Sequence, residues 1–225
     1  MSSGLGSNAP ALGELLLDPM IHCVEVASLS RAKRVKRDVD AVLTVEDPGI
    51  HPNRSLRFHS APHPPHLILR FEDADVDDGR VWVAAEADVM SALAFARANA
   101  GDGTSRLLVH CQYGVGRSAA LGLAIVADRL GAGREDEAVA VLMALRPEAT
   151  PNLVVIGLAD RILGRGGRLA AALEARERAD EAMSDRRRSR AICFRDHRYR
   201  YADRPSESAS SGPVSFVSGR SGEVR

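Results

Sequence analysis

The stretch from Arg106 to Leu130 constrains the fold of this chain more than any other part. Arg106 to His110 (RLLVH) is short and apolar, which suits a strand buried on both faces. A turn containing Gly114 and Gly116 follows. The run from Arg117 to Leu130 is then apolar and free of proline, and it reads as a buried helix ended by Gly131 and Gly133. A buried strand feeding a buried helix through a glycine turn is the repeating unit of a layered α/β protein.

The rest of the chain fits that architecture. Met20 to Leu29 and Val39 to Val45 read as strands, the second stopped by Asp47-Pro48-Gly49. His66 to Phe71 is a third. Between them, Pro52, Pro62, Pro64 and Pro65 keep residues 50–66 out of a central strand or a long helix. Glu72 to Gly79 is an acidic loop. Val83 to Ala98, Asp136 to Leu145 and Pro151 to Leu163 read as helices, the last with Thr150 as its cap. The fold expected is therefore α/β, a central, mostly parallel sheet flanked by helices, with a helical cap from the consecutive late helices.

Three segments follow from composition. Residues 1–19 form a loose entry segment, 20–164 the folded domain, and 165–225 an Arg-rich extension. That extension is expected to be helical from Leu169 to Met183 and partly disordered beyond. The whole chain carries 30 basic and 30 acidic residues, which argues against a general nucleic-acid field. The balance hides an asymmetry, because residues 165–225 hold 14 arginines and 9 acids. Arg186 to Arg190 reads as a solvated basic run. No apolar run approaches the roughly 18 residues of a membrane span, and Met1 to Gly13 has no secretory pattern. The three cysteines, Cys23, Cys111 and Cys193, form no C-x-x-C pair, which favours a reducing, cytoplasmic setting. His51, His59, His63 and His66 lie among prolines and read as a surface loop rather than a metal site.

The segment His110-Cys111-Gln112-Tyr113-Gly114-Val115-Gly116-Arg117-Ser118 carries the chemistry. A loop between Cys111 and Arg117 can curl so that the amides of Gln112, Tyr113, Gly114, Val115, Gly116 and Arg117 point inward. The helix that follows aims its N-terminus at the same point. Inward amides and the helix dipole make a site for a tetrahedral oxyanion, and Arg117 adds a fork of donors suited to phosphate. Cys111 lies at the base, where such a field favours its thiolate. Ser118 can hydrogen-bond the sulfur, and His110 can fix the loop. Gly114 to Ala119 also fits a loose dinucleotide pattern, but the strand that pattern requires next is replaced by a helix. A Walker loop would need lysine where Arg117 stands.

This segment resembles the C-x5-R motif of the protein tyrosine phosphatase superfamily, in its small dual-specificity-like or bacterial form. The resemblance extends over about residues 20–163. It implies a phosphatase fold over residues 20–164 and hydrolysis of phosphate monoesters on phosphotyrosine or dual-specificity protein substrates, or on a small phosphomonoester, through a phosphocysteine. It implies no cofactor and no metal. It also implies an acid in a loop after a strand, some 30–40 residues before the nucleophile. Asp73 fits, at the end of Leu69-Arg70-Phe71-Glu72-Asp73, with Asp75 in reserve. The segment from Leu145-Arg146-Pro147 to Thr150-Pro151-Asn152 resembles the one that opens a C-terminal helix in this family, where a Pro-Asn pair borders the active site and Asn152 braces the loop or caps the helix. Two alternatives stand beside this reading: a phosphate-binding pseudophosphatase, and a phosphoinositide or nucleotide phosphatase. The uncharged Gln112, Tyr113 and Val115 speak against polyanionic head groups.

Overall fold

The computed structural model describes residue 13 and residues 23–79, 81–100 and 105–197, with side chains as far as residue 192. Expectations for residues 1–12, 14–22 and 198–225, and for the Cys193 side chain, lie outside the described residues. Four strands form one sheet: β1 (Val24–Ser28), β2 (Ala41–Glu46), β3 (His66–Arg70) and β4 (Leu107–Cys111). All pairings are parallel and the spatial order is β1-β4-β2-β3. The α/β reading with a parallel sheet is what the structure shows. β2 and β4 are buried along their whole length, as near-continuous apolar runs in the middle of a parallel sheet must be.

Seven helices surround the sheet among the described residues: α1 (Leu29–Val35), α2 (Glu86–Ala98), α3 (Arg117–Leu130), α4 (Glu135–Leu145), α5 (Leu153–Ile162), α6 (Arg168–Arg178) and α7 (Glu181–His197). On one face α3 lies against the sheet, buried from Arg117 to Ala127, and α2, α4, α5 and α6 pack around it. The other face is closed by α1 through Ala32 and Val35, and by Leu56 and Phe58 of the proline-rich segment. α2 begins at Glu86 rather than Val83, where the Asp88 carboxylate takes the Ala85 N–H (2.8 Å) and satisfies an orphan donor of the first turn. Asn152, not Thr150, caps α5: its side-chain oxygen accepts from Val155 N at 3.0 Å.

The glycine turn at residues 164–167 does not release the chain. Asp160 accepts from Gly167 N (2.5 Å) and Leu169 N (2.7 Å), which seats the start of α6 on α5. Leu169, Leu173 and Met183 then enter the main core. The Arg186–Arg190 run departs from the solvated reading. It lies on α7 with Arg186, Arg187 and Arg190 turned onto the segment at residues 150–151.

Candidate active site

Parallel strands bring their carboxyl ends to one edge, where ligands bind in open α/β sheets. Here four strand ends meet. β1 delivers Ser28 and Leu29, β2 Asp47, β3 Phe71 to Asp73, and β4 Cys111. Register fixes this, because Ser28 pairs with Cys111 and Thr44 with His110.

The loop after Cys111 is held from outside. Five consecutive carbonyls are tied away from the centre. Gln112 O accepts from Leu29 N at 3.2 Å, Val115 O from Thr150 N at 2.7 Å, and Gly116 O from Ala120 N at 2.9 Å and Asn152 N at 3.3 Å. The Arg146 guanidinium takes the other two, with Nε to Gly114 O and Nη2 to Tyr113 O, both 3.2 Å. In a trans peptide the N–H points opposite to the C=O. Carbonyls pulled outward therefore turn the amides of Tyr113 to Arg117 inward. Gly114 N marks that inner side, donating to Cys111 Sγ at 3.3 Å.

Two glycines shape the loop, the first by steric necessity. Gly114 has φ +78°, and a Cβ there would sit 2.6 Å from Ala27 C and Ser28 N of the β1 backbone. At Gly116 a Cβ would collide with the Asp73 carboxylate, so this glycine lets the carboxylate lie against the loop.

Cys111 is buried, and its Sγ lies 3.2 Å from Ser118 Oγ. Arg117 is 4% exposed. Its Nη1 donates to Asp47 Oδ1 and to Phe71 O, both at 2.7 Å, while Nε is buried without an acceptor. Burial alone would push Arg117 down. Asp73, Cys111 and Asp47 outweigh it and hold the guanidinium above its ordinary value, so the site keeps a permanent cation. A cavity lined in part by Asp47, Ile50, Arg54, Gln112 and Arg117 opens beside Cys111.

His110 works from behind. Thr44 Oγ1 lies 2.7 Å from both His110 Nε2 and His66 Nε2. One hydroxyl can donate to only one of the two, so it accepts from the other. Burial pushes His110 down to about 4 and His66 to about 3. Both rings are neutral at pH 7, and the chain bolts the end of β4 to β2 and β3. Glu46 fixes the next wall. Burial pushes its carboxyl up, but bonds from Arg57 and Ser55 outweigh this and hold it below the carboxylate range.

The acidic loop separates its carboxylates by role. Glu72 is buried, accepts Trp82 N at 2.9 Å and is pushed up by that burial. Asp77 takes Gly79 N within its own turn. Asp75 accepts Leu153 N at 2.9 Å at the start of α5 and pairs with Arg187 and Arg190. Asp73 stands against Gly116 and accepts Asn152 Nδ2 at 3.0 Å. Asn152 thus caps α5 and braces the carboxylate together. The structure brings Cys111, Arg117, Ser118, Asp73 and Asn152 together. Tyr113 is 72% exposed at the rim. Asp47 was not singled out from sequence and read only as a strand stop, while Arg146 fell within the segment that resembles the family's but was given no role of its own.

No family model matches the chain, and no curated protein matches it. Solved structures do, and these neighbours in fold are dual-specificity and tyrosine phosphatases and phosphatase-like proteins. A mouse putative dual specificity phosphatase, solved in complex with zinc tungstate, is 22% identical, covers 75% of this chain and 97% of its own, and has a TM-score of 0.49. The human tyrosine phosphatase-like serine/threonine/tyrosine-interacting protein is 18% identical, covers 64% of this chain and 92% of its own, and also has a TM-score of 0.49.

Proposed function

We propose that this chain is a cysteine-dependent phosphatase that hydrolyses phosphate monoesters, with phosphotyrosine or dual-specificity protein substrates as the class it fits. One observation carries the reading: five tethered carbonyls turn a ring of amides toward a buried cysteine, with a fixed arginine alongside. Such preorganised donors stabilise charge on phosphoryl oxygens at no reorganisation cost.

In the first step the Cys111 thiolate attacks phosphorus in line. The S–P bond forms as the P–O bond to the leaving group breaks, and Asp73 passes its proton to the departing oxygen. In the second step the Asp73 carboxylate takes a proton from the attacking water. The S–P bond breaks, and the Ser118 hydroxyl, 3.2 Å from Sγ, stabilises the departing thiolate. Inorganic phosphate and the alcohol or phenol are the products. The tight pairing of Asp75 with two arginines and an amide supports Asp73 as the acid.

Asp73→Asn tests the assignment. Asparagine keeps the acceptor for Asn152 Nδ2 and loses the proton. On a phosphotyrosine peptide kcat is expected to fall about 10²–10⁴-fold. A variant with the wild-type rate would place the acid elsewhere.

A further inference from the structure

Helix α7 belongs to the extension that composition sets apart, yet its arginines reach the edge of the site. Arg190 Nη2 lies 2.8 Å from Asp75 Oδ1 and 2.6 Å from Oδ2. Its Nη1 donates to Thr150 O at 2.6 Å and stands 4.0 Å from Asp73 Oδ1. Arg187 lies beside it, with Nη1 3.1 Å from Pro151 O and 3.1 Å from Asp75 Oδ1. Its Nε is anchored by both oxygens of Glu177 on α6, at 2.7 Å each. Met183, fully buried, ties the start of α7 into the core.

These contacts join two parts of the site that no strand connects. One is the loop carrying Asp73 and Asp75. The other is the segment at residues 150–152, whose amides hold Val115 O and Gly116 O. Arg190 grips both, and its side chain is only 17% exposed. Side chains with so many partners in a partly dry setting hold geometry well. An exposed pair would contribute little.

We infer that α7 is a working part of the active site, in which Arg190, backed by Arg187, is a positioning residue that sets the Asp73 carboxyl over the phosphate loop through Asp75. This rests on the phosphatase reading above. Its consequence is selective. An acid out of place matters most where the leaving group is a strong base and little where it departs unaided.

The test uses full-length protein and two substrates. Phenyl phosphate releases a phenol with a pKa of about 10, and p-nitrophenyl phosphate releases a much weaker base. Arg190→Ala is expected to lower kcat/KM, which reports the steps up to P–O cleavage and not the hydrolysis of the shared phosphocysteine, roughly tenfold or more on phenyl phosphate and less than about threefold on p-nitrophenyl phosphate. Inhibition by inorganic phosphate is expected to stay within about twofold, since the loop is left intact. Asp75→Asn, which keeps an acceptor for Leu153 N, is expected to give the same skewed loss, and it carries the test if the arginine variant fails to fold. The double variant is expected to be no worse than either single one, and Arg190→Lys to recover part of the loss. Equal losses on both substrates, or losses that multiply in the double variant, overturn the inference alone. A wild-type protein inactive on both substrates overturns the phosphatase reading, and the inference with it.

Discussion

Replacing Cys111 with serine is expected to remove turnover by roughly 10⁴-fold or more while leaving the binding of inorganic phosphate within about twofold. The two halves follow from different parts of the site. Turnover needs a sulfur anion, and a serine hydroxyl in the same place has no base poised to deprotonate it: the nearest side-chain partner is Ser118 Oγ. Binding depends on inward amides and Arg117. Those are set by Leu29, Arg146, Thr150 and Asn152, which the substitution does not touch. Serine is nearly isosteric and can still take the Gly114 N–H, so the buried site stays filled and satisfied. Steady-state rates and a calorimetric phosphate titration check both halves. A protein built only to bind phosphorylated partners would show no wild-type turnover to lose.

Arg117→Lys is expected to lower kcat/KM by about 10²–10³-fold and, unlike the serine variant, to weaken phosphate binding at least roughly tenfold. The guanidinium spends Nη1 on Asp47 Oδ1 and Phe71 O. That anchors the plane and leaves its remaining donors to face the oxyanion as a fork. A lysine ammonium is one point charge on a flexible stem. Held by Asp47 it has nothing planar left to offer, and freed from Asp47 it leaves a carboxylate unpaired beside a dianionic substrate. The same titration reads the binding loss. A lysine variant within about threefold of wild type on both measures would show that the amides alone hold the phosphate.

Much of this site was legible in the chain, and the gaps have physical causes. The strand–loop–helix from Arg106 to Leu130 announces itself, because buried strands, glycine turns and apolar helices leave strong local patterns. Asp73 and Asn152 were picked out through the family resemblance, and the structure places the two side chains against each other beside the loop. Asp47 was hidden because Asp-Pro-Gly reads fully as a turn, and its pairing with Arg117 depends on β2 lying beside β4, a long-range fact of topology. Arg146 lies in the segment that resembles the family's, but nothing local gives it a role until the loop carbonyls are found under its guanidinium. Arg186 to Arg190 looked solvated because composition reports charge and not partners. Three arginines become half-buried only when Met183 is drawn into the core and Asp75 and Thr150 lie opposite.

If the chain passes phosphate through Cys111, acid quenching traps the phosphoryl group on that sulfur. Protein mixed with a phosphotyrosine peptide, stopped within the first turnovers, digested and examined by mass spectrometry is expected to carry phosphate on the peptide containing Cys111. None is expected when that cysteine is serine. Phosphate found on another residue would place the nucleophile there instead. Steady turnover with no phosphoenzyme that survives in the serine variant would contradict a route through Cys111.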